Sequence, residues 1–165
     1  MKSNALRAIE FAAMFIAAPA ALAMFMRPGL LFPAIWLLFA ICLVALLLDP
    51  SFDRKRLWNS RGVKTHLPLI LSLGLVGAIL LTAVLYFTAP GSLFGLIRTR
   101  PQLWAIIMVL YPVLSVYPQE VAFRAFFFHR YQRLFGKGAG ILVASSLAFG
   151  WAHIVMRNGW AIGFS

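Results

Sequence analysis

Long apolar runs separated by short polar segments organise the whole of this 165-residue chain. Residues 8–26 form the first run, preceded by Lys2 and Arg7. Residues 30–48 carry no charge, and at the α-helical rise they reach about 28 Å, enough to cross a hydrocarbon core. Asp49-Pro50 stops that run, and the polar segment 51–66 follows with Arg54, Lys55, Arg56, Arg61 and Lys64. His66, at its end, reads as an interfacial side chain. Residues 67–89 give a third span, in which Gly74 and Gly77 would let a neighbouring helix approach closely. Pro90-Gly91-Ser92 is a turn, and residues 93–97 suit a short surface helix.

Residues 103–117 are too few for an ordinary span and contain Pro112. Pro118 suits the first turn of a new helix, where its missing N–H is harmless. Two arrangements fit: one long helix over 103–134 broken at Pro112 and Pro118, or a half-span followed by a returning helix. Arg130, Arg133 and Lys137 at the far end favour the long helix. Gly136-Lys137-Gly138 is the next turn, and residues 139–156 make a fifth span. Residues 160–165 open like one more apolar helix, so the chain reads as cut short. The expected fold is all-α: one membrane-embedded domain over 1–165, a polytopic helical bundle with a proline-broken helix.

Composition agrees, with 62% hydrophobic residues and a mean hydropathy of +0.89, well above a soluble domain. A net charge of +11 in a soluble chain would suggest nucleic acid. Here the basic residues lie between apolar runs, where they act as topology signals and anionic-lipid contacts. The amino-terminal segment and the 51–66 loop hold seven of them against three on the other side (Arg27, Arg98, Arg100). That excess predicts a cytoplasmic amino terminus in a plasma (inner) membrane protein. Ala21-Leu22-Ala23 resembles a signal-peptidase site, but Glu10 and Pro19 interrupt the run and further spans follow, favouring an uncleaved first helix. Cys42 is the single cysteine and excludes an internal disulfide.

The chemistry-bearing stretch is Tyr117–His129, Y-P-Q-E-V-A-F-R-A-F-F-F-H, with Glu120, one of four acidic residues. Glu120 and Arg124 are i and i+4 on a helix and can pair. At membrane depth such a pair marks either a functional site or a structural salt bridge. Glu10 is expected near the membrane surface, at the start of the first helix. His153 lies at the end of the fifth span, where it could share a water with Glu120, bind a metal, or simply bridge helices. His129, nine positions after Glu120, falls on the opposite face at about 100° per residue and suits the headgroup level. The chain has no phosphate loop, nucleophile elbow, HExxH or paired-cysteine motif.

P-Q-E-V-A-F-R at 118–124, followed by F-G-W-A-H at 149–153, resembles the CAAX protease and bacteriocin-processing (CPBP, or Abi) family of intramembrane endopeptidases. Glu120 and Arg124 match the second glutamate and the arginine of that family's first motif. Phe149 and His153 match the phenylalanine and histidine of its second, and the match runs over about residues 117–153. The resemblance implies a helical bundle with a cavity open to the cytosol, in which glutamate and histidine activate water against a peptide bond. Its substrates would be membrane-associated or prenyl-type proteins and peptides, and a divalent metal such as zinc, held by Glu120 and His153, is a candidate cofactor. On this reading Glu120 is the general base, Arg124 its charge partner and His153 the ligand of the water or metal, while Gln119 and Phe149 complete the water- and substrate-binding wall.

Two departures keep other classes open. Gln119 stands where the family usually has its leading glutamate, and glutamine cannot take a proton. No histidine follows His153, so the family's third motif, a histidine three residues before an asparagine or aspartate, is missing. A non-catalytic membrane scaffold or bacteriocin-immunity relative is therefore the alternative. A proton-coupled transporter using Glu120 and His153 as relay groups is the third.

Overall fold

The structure is a computed structural model that describes residues 2–25, 27, 29–58 and 60–157. Among these it contains helices and no strand. Five helices are long and apolar enough to cross a membrane: α1 over residues 2–25, α2 Leu31–Leu48, α3 Ser60–Thr88, α4 Pro101–Phe135 and α5 Ala139–Ala152, the last extended by a 3₁₀ turn His153–Met156. The protein is an all-α integral membrane bundle. The expected helix at 160–165 lies outside the described residues. The polar stretch before residue 67, read as loop from sequence, is helical from Ser60 onward.

The chain divides into two compact units. The smaller, Lys55–Val113, holds α3 and the short helix Gly95–Thr99. No part of the apolar window of α3 is buried within the protein, so the bilayer is its natural surrounding.

The larger unit, Met1–Arg54 with Leu114–Ser165, packs α1, α2, the second part of α4 and α5 together. Lipid is as apolar as leucine, so helices here associate through close packing and captured polar groups rather than by hydrophobic exclusion from water. The packing is aromatic. Phe15, fully buried, has ring centroids of Phe123 and Phe127 at 5.2 Å and Tyr131 at 5.8 Å, all edge-on. Phe11 meets Phe135 at 5.2 Å, and Phe149 of α5 meets Phe123 at 5.1 Å. Such edge-to-face pairs contribute roughly 0.5–1.5 kcal/mol each beyond area burial.

The prolines interrupt the α pattern of α4 as wider π turns, Pro112–Val116 and Val121–Phe126, rather than as gaps. A similar turn, Ala12–Ala17, precedes Pro19 in α1. Each irregularity frees backbone carbonyls, and in lipid these need partners. Pro118 cannot donate to the Leu114 carbonyl, and Trp36 Nε1 donates to it at 3.1 Å. Ser145 Oγ donates to the Phe123 carbonyl inside the second π turn at 2.6 Å. Trp151 Nε1 serves Ile16 at 3.0 Å, and the Arg157 guanidinium serves Ala23 at 2.7 Å. Backbone carbonyls at the irregular turns and at the end of α1 thus become the cross-helix ties.

The α4–α5 turn depends on glycine. Gly136 and Gly138 have φ of 77° and 97°, values that other residues rarely adopt. A methyl group at Gly140 would run into the Phe135 carbonyl oxygen.

Candidate functional site

Helix phase decides what each motif residue faces. On α4, Ser115, Gln119 and Phe123 follow one another at i+4 and form the inward face, with Ser115 and Phe123 buried and Gln119 half-buried. Val116, Glu120 and Arg124 repeat the same spacing about 100° round the helix and are exposed. Glu120 Oε2 lies 3.8 Å from Arg124 Nε, with the two side chains 55% and 66% exposed. The pair expected from the i, i+4 spacing therefore forms, but loosely and on the outer face of the helix rather than in the interior. The physical reason is the one-residue offset: the residue turned inward between Ser115 and Phe123 is the amide at 119, not the acid at 120.

A cavity of about 310 Å³ lies between the four helices of the larger unit. Met14, Ala18 and Leu22 of α1 and Leu31, Ile35 and Ile41 of α2 line its apolar walls. Its polar end is made by Gln119 from α4 and by His153 from the turn after α5, with Phe149 and Phe123 beside them. Of the residues expected to act together, Gln119, Phe149 and His153 share this wall; Glu120 and Arg124 are not among those lining it.

Both polar side chains are held. Gln119 Nε2 donates to Ser115 Oγ at 2.8 Å. His153 Nδ1 lies 2.9 Å from the Phe149 carbonyl oxygen. A carbonyl can only accept, so Nδ1 carries the proton in the neutral ring and Nε2 keeps a lone pair. The Phe149 ring packs edge-on against the imidazole, centroids 4.7 Å apart, and fixes its orientation further. The site can therefore hold a water or a substrate N–H at Nε2, and Nε2 can take a proton.

A metal fits poorly. Catalytic zinc usually takes three protein ligands, and among the described residues no group of three His, Cys, Asp or Glu side chains is placed to hold an ion. Glu120, half of the expected ligand pair, lies outside the cavity wall.

The polar cluster that sequence reasoning missed lies at the other end of the unit. Arg130 donates from Nε and Nη2 to the two carboxylate oxygens of Glu10, at 2.9 and 2.6 Å, and Tyr131 Oη adds a bond at 3.1 Å. His129 Nε2 sits 2.9 Å from Asp49 Oδ2, while Ser51 donates to Asp49 through its N–H and its hydroxyl at 2.9 and 2.7 Å. The Ser51 hydroxyl and then His129 hold the Asp49 carboxyl well below the usual carboxylate range. Glu10, expected at the start of the first helix, is bound by a forked arginine. Scarcity was the available signal: a chain with four acids and fifteen Lys and Arg leaves few acids unpaired.

Residues 101–165 match the family model described as type II CAAX prenyl endopeptidase Rce1-like. The match covers both motif segments and less than half of the chain, and it is consistent with the CPBP family. Comparison with curated proteins and with solved structures gives no match.

Proposed function

We propose that the chain provides the framework of a CAAX-type intramembrane endopeptidase, cleaving peptide bonds of membrane-associated or prenyl-type substrates. The observation that carries this reading is the meeting of Gln119, Phe149 and His153 at the polar end of one apolar cavity, within the stretch that matches the Rce1-like model. The apolar walls would take the lipid-like part of the substrate. A water would sit at His153 Nε2, oriented by Gln119. As its oxygen adds to the peptide carbonyl, its proton passes to the base, which returns it to the leaving amine as the C–N bond breaks. Glu120, paired with Arg124, is the base the motif suggests, and a change of its side-chain rotamer would be needed to bring it to the cavity. Its outward position makes His153 the better-supported partner of the water.

The test is cleavage of a prenylated reporter peptide by the full chain in lipid nanodiscs. His153→Ala is expected to lower the rate at least about 100-fold, and Glu120→Ala to do the same if it is the base. Full activity in both variants would reject the assignment.

A non-catalytic membrane protein that holds a lipid-like ligand is the second reading. It is favoured by an amide, not an acid, facing the cavity. There Glu120→Ala would leave ligand binding unchanged and no variant would affect proteolysis, because there is none.

Orientation belongs to the same proposal. The charge count puts the amino terminus in the cytoplasm. The cavity is lined by the halves of α1, α2 and α5 away from Glu10 and Asp49, so it would then open on the outer side. A cytosol-open cavity, as the resemblance implies, requires the reverse. Labelling of cysteines introduced at Lys137 and Met156 by a membrane-impermeant thiol reagent, in right-side-out and inverted vesicles, decides between them.

A further inference from the structure

Glu120 and Arg124 stand at a depth where hydrocarbon suits them least. His129, bonded to Asp49 at the end of α2, marks the level at which α4 leaves the apolar layer. Glu120 comes nine residues before His129 on the same helix, about 13 Å further in at the helical rise, near the middle of a core roughly 30 Å thick. At that depth both side chains are more than half exposed, and the 3.8 Å between them is too long for a hydrogen bond. Charged groups inside a membrane are ordinarily turned to protein or water. This face of α4 therefore calls for a partner that brings charges of its own.

The sequence limits what that partner can be. Leu31–Leu48, residues 67–88, residues 101–119 and Ala139–Met156 contain no Asp, Glu, Lys or Arg, and in α1 Glu10 is taken by Arg130. Within this chain, the charges that complement an acid and a base one turn apart are those of the same pair in another copy. We propose that the outer face of α4 is a dimer interface. Two copies inserted with the same orientation pack α4 on α4 about a two-fold axis along the membrane normal, with Glu120 of each copy on Arg124 of the other. The two-fold axis makes both contacts together, and the four charges sum to zero. Val116, one turn from Glu120 on the same exposed face, would meet its equivalent near the axis. Close packing and interhelical polar contacts are what drive helix association in lipid. The inference uses neither the cavity nor the peptidase reading and holds for a chain that cleaves nothing.

The test is association of the full chain in phosphatidylcholine liposomes, read as energy transfer between amino-terminally labelled copies across a range of protein-to-lipid ratios. Wild type is expected to dimerise. Glu120→Arg and Arg124→Glu, each alone and each with wild-type helix content, should weaken the dimer at least about tenfold. Mixing the two variants should restore energy transfer between them, because a doubly basic face then meets a doubly acidic one. On the otherwise wild-type chain, oxidation of Val116→Cys should give a disulfide-linked dimer, whereas Val143→Cys, exposed on α5, should not. The inference is overturned if wild type stays monomeric at every ratio, or if either reversal alone associates as well as wild type. It is equally overturned if a dimer forms that Val143→Cys traps and Val116→Cys does not. A mixture that restores nothing, with the Val116→Cys disulfide still forming, would keep the interface and overturn the charge pairing.

Discussion

Where Glu10, Asp49, His129 and Arg130 meet, α1, α2 and α4 are bound by an arginine–carboxylate pair and a histidine–carboxylate hydrogen bond and filled by the Phe11, Phe15, Phe127 and Tyr131 rings. Further along the same helices, past the π turn of α1 and around Pro118, side chains stand back from one another and leave about 310 Å³ between them. The difference teaches how a small membrane bundle can keep an open pocket. Hydrophobic exclusion does not close gaps in lipid, so cohesion can be concentrated at one end while the other stays hollow. The irregular turns mark the change: they aim the Gln119 face inward, and their freed carbonyls are tied by Trp36, Ser145 and Trp151 rather than by filling the space.

Removing a ring from each half puts the contrast under the greatest strain. Phe15→Ala leaves a hole where five aromatic neighbours converged and is expected to cost about 3–5 kcal/mol. Leu22→Ala faces the existing cavity and should cost about 1 kcal/mol or less, since few contacts are lost. Unfolding in mixed micelles measures both. Equal losses would mean that the two halves are packed alike.

The two charge pairs of α4 give a smaller but sharper comparison. Arg130 makes a forked bond to Glu10, with side chains 40% and 28% exposed, and Arg130→Ala should cost about 2 kcal/mol after allowance for that exposure. Arg124 stands 3.8 Å from Glu120 on the open face, so Arg124→Ala should cost about 0.5 kcal/mol or less. If Arg124→Ala costs as much as Arg130→Ala, the outer face of α4 carries load that its geometry does not show.

The helices were legible because membrane spans are written as length and apolarity: residues 30–48 and 139–156 are bounded by Asp49-Pro50 and by glycines. Which face of α4 turns inward was not legible. In a soluble helix the polar stripe faces out, but with lipid outside both faces of this stretch are largely apolar, and Glu120 and Arg124 carry no phase information. The phase rests on Ser115 and Phe123, whose partners on other helices, and on the rings around Phe15, have no sequence signature. Nor could spacing pair Glu10 with Arg130, 120 residues on; only the fold brings them together. The CPBP motifs located the polar end of the cavity through His153 and Gln119, while the acid they emphasise points elsewhere.

The faintest distinction between the halves is electrostatic, and acid should expose it. Asp49 lies beyond the end of α2, outside the membrane-spanning segments, and its carboxyl is held low by the Ser51 hydroxyl and N–H and by His129. A carboxyl whose folded pKa is depressed stabilises the fold above its unfolded value of about 4, and that contribution is lost as pH falls from there towards the folded value. Stability measured from pH 6 down to pH 3 should therefore drop more steeply in wild type than in Asp49→Asn, and the two curves should run parallel above pH 5. The cavity end offers no carboxylate among its described lining residues, so affinity for a neutral apolar ligand should follow no such Asp49-dependent slope. A steeper acid loss in Asp49→Asn than in wild type would mean that the carboxyl is bound more tightly as the acid than as the anion. The closed end would then be held by something other than the charge and hydrogen bonds that meet at Asp49.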